Sequence, residues 1–172
     1  MKHLSEYEAN IKFPGRIGFC VCAPAVFAAD QLGKMRVLSA MAPNASIPVI
    51  PGFFHITLIL NTGASFGMFQ DKAVFFMILT GLLSLAIAWA ALFRRGLKGA
   101  VRIVLGIVLG GALGNLTDRI LRGGAVVDFI DFRGIWPYIF NIADMAVVCG
   151  GILLALLVLT EENKAAALKP KH

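Results

Sequence analysis

Charged residues are scarce in this chain. They make up 15% of 172 residues, while hydrophobic residues make up 58%. An average soluble domain has about 25% charged and about 45–50% apolar residues. Together with a mean hydropathy of +0.80, this excludes intrinsic disorder and disfavours an ordinary soluble enzyme. Cysteine is scarce too: Cys20, Cys22 and Cys149 are odd in number and lie in apolar stretches. That excludes a disulfide scaffold and reads as small buried side chains. Histidine is limited to His3, His55 and His172, without metal-ligand spacing, so no metal and no cofactor is expected. The net charge of +6 contains no run of five basic residues, and there is no phosphate loop or basic–aromatic surface, so nucleic acid is not an expected partner.

What is present is long uncharged stretches. A bilayer crossing takes about 20 apolar residues, so the composition holds material for four helices and modest loops. Ala73–Phe93 is the clearest span, bounded by Asp71-Lys72 and Arg94-Arg95. A second runs from Val101 to about Thr117 and a third from about Ile139 to Thr160. The first span in chain order is the weakest, Ile17–Ala29, interrupted by Pro24. Its basic approach and Ala23-Pro24-Ala25 imitate a cleavable signal peptide. A retained helix is the preferred reading, extended by Asp30 and by Lys34, whose ammonium would snorkel to the interface. Val37–Gln70 is broken by Pro43, Pro48 and Pro51 and then becomes β-branched and aromatic. It reads as a small sheet lying against the interface, a fifth span being the alternative. The resulting division is an N-terminal segment 1–16, a membrane domain 17–160 and a tail 161–172.

The charges give this layout a direction. Lys2, Lys12, Arg16, Arg94, Arg95, Lys98, Arg102, Lys164, Lys169 and Lys171 fall on the side of both termini, which the positive-inside rule makes cytoplasmic. Asp30, Asp71, Asp118, Asp128, Asp131 and Asp144 all fall on the other side, and glutamate occurs only near the termini. Acidic chemistry is therefore expected at one membrane face.

Asp144 stands at the outer end of an apolar helix, where an ionisable group is a functional candidate by default. Asn141 lies one turn before it, on the same face. Asp128 and Asp131 alternate with apolar residues in 126–132. Two carboxylates brought together in a dry site share a proton and can serve as base and acid. Spacing does not say whether Asp128 or Asp131 is the partner of Asp144. Gly106, Gly110 and Gly114 form two small-xxx-small steps, a face for close helix packing. Asn115, Asp118 and Arg119 continue that helix, the arginine bracing a carboxylate or facing headgroups. Gly63-Ala64-Ser65-Phe66-Gly67 matches a nucleophile-elbow pattern, but only His55 is on the same side. Serine chemistry, including a pairing of Ser65 or Ser39 with Lys34, is the weaker alternative. Trp136 and Tyr138 read as an interfacial aromatic anchor.

Five segments occur in one order: Asp30-Gln31-Leu32-Gly33-Lys34, Asn61 to Gly67, Gly110 to Arg119, Val126-Val127-Asp128-Phe129 and Phe140-Asn141-Ile142-Ala143-Asp144. In this the chain resembles bacterial lipoprotein signal peptidase (signal peptidase II) over about residues 17–160. The resemblance implies four transmembrane helices, both termini cytoplasmic, and an extracytoplasmic β-cradle in the first outer loop, made largely from the stretch before Asn61. It makes Asp128 and Asp144 the catalytic dyad, with Asp30, Lys34, Asn61, Gly63, Asn115, Asp118, Arg119, Asn141 and Ala143 around them. It further implies an aspartic endopeptidase of the bacterial cytoplasmic (inner) membrane. Its substrates would be prolipoproteins carrying diacylglycerol on the lipobox cysteine, cut just before that cysteine. Membrane lipids and globomycin-type inhibitors are the implied partners. Gly33 departs from the family's Ser or Thr, and Ser65 from its common Ala. The rival readings are a small transporter using Asp144 as a proton or cation relay, and a non-catalytic membrane subunit.

Overall fold

The computed structural model describes residues 2–62 and 73–167. Gly63 and Ser65 lie outside the described residues. The order of elements is α1 (Lys2–Ala40), β1 (Ser46–Ile50), β2 (Phe54–Asn61), α2 (Ala73–Phe93), α3 (Gly99–Leu121), β3 (Val126–Phe132) and α4 (Ile142–Ala167).

Three of the helices, α2, α3 and the Ile142–Thr160 portion of α4, are long and apolar enough to cross a membrane. Helix α2 coincides with the uncharged run between its flanking charges. Its outer face, with Phe75, Ile78, Leu82, Leu85 and Trp89, is exposed. An apolar surface of that extent suits lipid as solvent. Helix α1 is different in kind. It runs uninterrupted through Pro14 and Pro24 and, at a rise of about 1.5 Å per residue, reaches about 60 Å. Its apolar stretch ends in Asp30 and Lys34, which are fully buried. The expectation that Lys34 snorkels to the interface is therefore corrected: Asp30 of its own helix and Asn115 and Asp118 of α3 are its partners inside the bundle. Helix continues through both boundaries drawn at 16 and 160.

Helix α3 is the centre of the bundle, and its glycines explain why. A Cβ on Gly110 would stand 2.5 Å from the Ala23 carbonyl oxygen of α1. On the adjoining face, a Cβ on Gly111 would stand 2.5 Å from the Ala143 carbonyl of α4. Both neighbouring backbones approach α3 so closely that only glycine fits, as small-residue faces allow within membranes. Phe19, Ala23, Ala91, Leu105 and Leu109 form the core where α1, α2 and α3 meet. Arg102, counted in the sequence as a topology charge, is 1% exposed. Its guanidinium donates to the carbonyls of Ala91, Arg94 and Leu97 and so closes the turn between α2 and α3. Ala91 lies in the last turn of α2, where a helix end leaves carbonyls without intrahelical donors. The three cysteines are free thiols. Cys20 and Cys149 are exposed on the bundle surface, contrary to the buried reading, because apolar side chains face lipid here as well as the core.

The strands form one antiparallel sheet in the order β1-β2-β3 at one end of the bundle. The first two come from the expected loop. The third comes from the connection between α3 and α4, so the sheet is not confined to the first loop. Val37, Leu58, Val127 and Phe129 pack together and seat it on the end of α1. This brings β3, the end of α3 and the start of α4 to one place.

Candidate active site

Asp144 occupies the first turn of α4, with Asn141 immediately before the helix. Asn141 Oδ1 accepts the Asp144 N–H at 2.8 Å, and Asp144 Oδ2 accepts the Asn141 N–H at 3.2 Å. This reciprocal arrangement is a capping box, which occupies two amides at a helix start. It also fixes the carboxylate, whose other oxygen accepts from Asn115 Nδ2 at 2.7 Å.

The same Asn141 reaches Asp128. Its Nδ2 lies 2.7 Å from Asp128 Oδ1, 3.2 Å from the Val127 carbonyl and 3.1 Å from Asn115 Oδ1. Asn61 Nδ2 donates to the second oxygen of Asp128 at 2.9 Å. Asp128 and Asp144 are thus bound to one asparagine and line one cavity. Asp128 is 2% exposed. Burial pushes its carboxyl up to about 6, and the charge of Asp144 adds to the rise. Hydrogen bonds from Asn61 and Asn141 and the charge of Lys34 act against it.

Beneath this pair lies a buried charged layer. Lys34 Nζ meets Asp30 Oδ2 at 2.8 Å, Asp118 Oδ2 at 3.0 Å and Asn115 Oδ1 at 3.0 Å. Its three protons therefore have three acceptors. Asp30 Oδ1 accepts the Ala143 N–H at 2.9 Å, tying α1 to the first turn of α4. Asp118 Oδ2 accepts the Val127 N–H at 3.0 Å, tying α3 to β3 beside Asp128. Buried charges persist only when paired and hydrogen-bonded. Here the pairing holds the elements that carry the two upper carboxylates.

Asp131 does not join them. On β3 it faces the other way, accepting from Thr57 Oγ1 at 2.6 Å and Arg133 Nε at 3.2 Å. Burial alone would raise its carboxyl, but those donors and the charges of Arg133 and His55 hold it below its usual value. Arg119 donates to the carbonyl of Asn115 in its own helix, at 3.4 Å. The arginine paired with Asp118 is Arg122, at 3.9 Å, which sequence reasoning does not single out. Gln31, another omission, donates to Asp30 at 3.2 Å and to the Gly114 carbonyl at 3.1 Å. Its place inside the first of the five ordered segments was the available signal. Of the serine alternatives, Ser39 donates to the Arg36 carbonyl, while Lys34 is fully engaged elsewhere. His55 Nδ1 is 3.3 Å from Ser46 Oγ.

The cavity over the carboxylates has a volume of about 810 Å³. Phe53, Phe132 and Phe140 line it together with Met145 and Val148 of α4. The Phe132 ring lies 5.6 Å from Phe53 and 6.0 Å from Phe140. Trp136 and Tyr138 are exposed at this cavity, 6.3 Å apart. Gly33 lies under the site: a Cβ there would meet Phe129 at 3.1 Å and Ile142 at 3.3 Å. Apolar groups crowd the space a serine or threonine side chain would enter.

The family model for signal peptidase (SPase) II matches residues 22–160. The chain belongs to the signal peptidase II family. A lipoprotein signal peptidase of Moorella thermoacetica is 46% identical over 136 residues, covering 79% of this chain and 89% of the relative. A lipoprotein signal peptidase of Clostridioides difficile is 42% identical over 136 residues, covering 79% and 90%. A solved bacterial membrane enzyme is 34% identical with a TM-score of 0.73, covering 82% of this chain and 92% of that one. A second solved bacterial membrane enzyme gives 33% and 0.75, covering 90% and 93%. This signal peptidase II family member is accordingly a membrane-embedded peptidase, and the carboxylate pair is its candidate catalytic centre.

Proposed function

We propose that this chain is an aspartic endopeptidase that cleaves diacylglyceryl-modified prolipoproteins just before the lipidated cysteine. The observation carrying the proposal is Asn141, which binds both Asp128 and Asp144 on the wall of an apolar cavity. Asp144, at the positive end of the α4 dipole, is the member suited to hold negative charge. It takes a proton from water as the water oxygen bonds to the scissile carbonyl carbon. Asp128, desolvated so that its carboxyl holds a proton up to about pH 6, gives that proton to the forming oxyanion. Asp144 then gives its proton to the amine nitrogen as the C–N bond breaks, and Asp128 takes a hydroxyl proton back as the product carboxyl forms. Asn61, Asn115 and Asn141 orient the carboxylates, while Asp30, Lys34, Asp118 and Ala143 hold the elements under them. Gly63 and Arg119 complete the set by their family positions.

Residues 17–160 constitute the peptidase domain between the terminal segments 1–16 and 161–172. Helix α1 is the fourth crossing, because its charged turn is neutralised within the bundle. The basic α2–α3 turn lies on the cytoplasmic side with both termini, which places the dyad and sheet outside the cytoplasmic (inner) membrane. Lipid chains remain in the bilayer and supply binding of about 0.8 kcal/mol per buried CH₂, leaving the peptide at the interface. Globomycin-type cyclic peptides would occupy the same cavity and inhibit. A transporter relay accounts less well for two carboxylates fixed at one end of the bundle.

The test is incubation of the protein in lipid nanodiscs with a diacylglyceryl-modified prolipoprotein, products read by mass spectrometry. The expected result is one cut before the modified cysteine, blocked by globomycin and absent in Asp128→Asn and Asp144→Asn. Cleavage retained by either folded variant would remove the dyad from the reading.

A further inference from the structure

Strand β2 carries one residue more than its partner. Phe54, His55 and Ile56 pair with Phe132, Asp131 and Ile130, and pairing resumes with Ile59 opposite Asp128 and Asn61 opposite Val126. Thr57 and Leu58 together oppose Phe129, which makes a β-bulge. Since side chains alternate with a period of two, one extra residue moves every later side chain of β2 to the other face. With unbroken register Leu60 would lie opposite Val126, and Asn61 would point to the face of Asp131. The bulge puts Asn61 on the face of Asp128, where its amide reaches the carboxylate at 2.9 Å.

The bulge is fastened by side chains that the peptidase chemistry does not use. Thr57 Oγ1 donates to Asp131 Oδ2 at 2.6 Å, and both residues are buried. Ser46 Oγ lies 2.8 Å from the same hydroxyl and accepts from Arg133 Nη2 at 2.7 Å. Arg133 Nε completes the ring by donating to Asp131 at 3.2 Å. Leu58 is 1% exposed among Val37, Val127 and Phe129. Its N–H and carbonyl are bonded to Ala45 and Asn44.

We propose that Thr57, held by Asp131, is a positioning residue for the dyad: the pinned bulge aims Asn61 at Asp128. The inference rests on the reading of Asp128 as a reacting group and deepens it. Asp131, on the strand that carries Asp128, thus acts on the site from the opposite face of the sheet. Asp128 is faced by Asp144 from α4 and Lys34 from α1, and Asp131 by Arg133 and His55. None of these charges is removed when the Thr57 hydroxyl is.

The measurement is the titration midpoint of Asp128 by carboxyl ¹³C NMR of the full chain in nanodiscs, which needs no turnover. Asn61→Ala should raise the midpoint by about one pH unit, a tenfold change in proton affinity. Thr57→Val should raise it comparably, and the double variant by no more than either alone, since both cut one path. Thr57→Ser should restore the wild-type midpoint, and Thr57→Ala, which also removes the hydroxyl without touching a charge, should reproduce Thr57→Val. A wild-type midpoint in both Thr57→Val and Thr57→Ala overturns the proposal, as does full additivity of Thr57→Val with Asn61→Ala. A wild-type protein that titrates as expected but does not cleave prolipoprotein would overturn the peptidase reading and leave the positioning result standing.

Discussion

At the scale of single residues, the site is a problem of placing negative charge in a dry environment. The carboxyl of Asp128 is pushed up to about 6 from its ordinary 3.8. Between those values the folded chain binds more protons than the unfolded one, so stability falls as pH rises and stays lower above the window. Asp128→Asn should therefore be more stable than wild type by about 1–3 kcal/mol above about pH 7, with little gain below about pH 4. Thermal unfolding in one detergent at both pH values checks this. The same proton sets activity. With Asp128 as the acid, kcat/KM should fall as pH rises through about 6, because its proton is then lost from the free enzyme. The limb in kcat should lie higher, since bound peptide excludes water from beside Asp128; pH–rate profiles test both. Lys34 is the residue on which the lower layer depends. Lys34→Met leaves Asp30 and Asp118 without their common cation and should cost about 3–5 kcal/mol, read by denaturant unfolding, with loss of cleavage.

At the scale of elements, α3 serves as the surface against which the others register. The sequence showed its glycines as a packing face but not which helices they admit. Gly110 meets the α1 backbone at Ala23 and Gly111 the α4 backbone at Ala143. The Ala143 N–H in turn donates to Asp30. A methyl at Gly110 has no flexible neighbour to push aside, so Gly110→Ala should destabilise by about 2–3 kcal/mol and reduce cleavage. Gly81, on α2, is open: a methyl there would have no atom within 4 Å. Gly81→Ala should be neutral or up to about 1 kcal/mol stabilising, through helix propensity. Unfolding of the pair in mixed detergent micelles separates close packing from mere helix preference. The capping box of α4 was legible as residue types, Asn141 and Asp144 three apart. That Asn141 also holds Asp128 was not, because the contact joins a strand to a helix.

At the scale of the whole molecule, the charge distribution is expected to orient four crossings. In a chain with Cys20, Cys22 and Cys149 replaced by alanine, Ile47→Cys should react with a membrane-impermeant thiol reagent in intact spheroplasts. Arg95→Cys should react only after permeabilisation. The reverse pattern would invert the topology, and equal labelling of both would remove it. The strand segments show where sequence reading stops. Residues 126–132 read as extended and the stretch before Asn61 as a sheet, but nothing local says that the two pair. Nor did local pattern show the bulge, since Thr57 and Leu58 break alternation no more than many irregular strands do.

By itself the sequence determined that apolar helices fill most of this chain and assigned its aspartates to one side of them. Both follow from local quantities: hydropathy summed over a span, and which side chains flank it. The ordered motifs added the family and named Asp128 and Asp144. Tertiary structure alone decided that Asp131 turns away while Asp128 meets Asn141, that Lys34 is buried rather than snorkelling, and that Arg102 closes a turn. Each of those outcomes depends on a partner far along the chain. A charge can enter a dry interior only where such partners are already assembled around it.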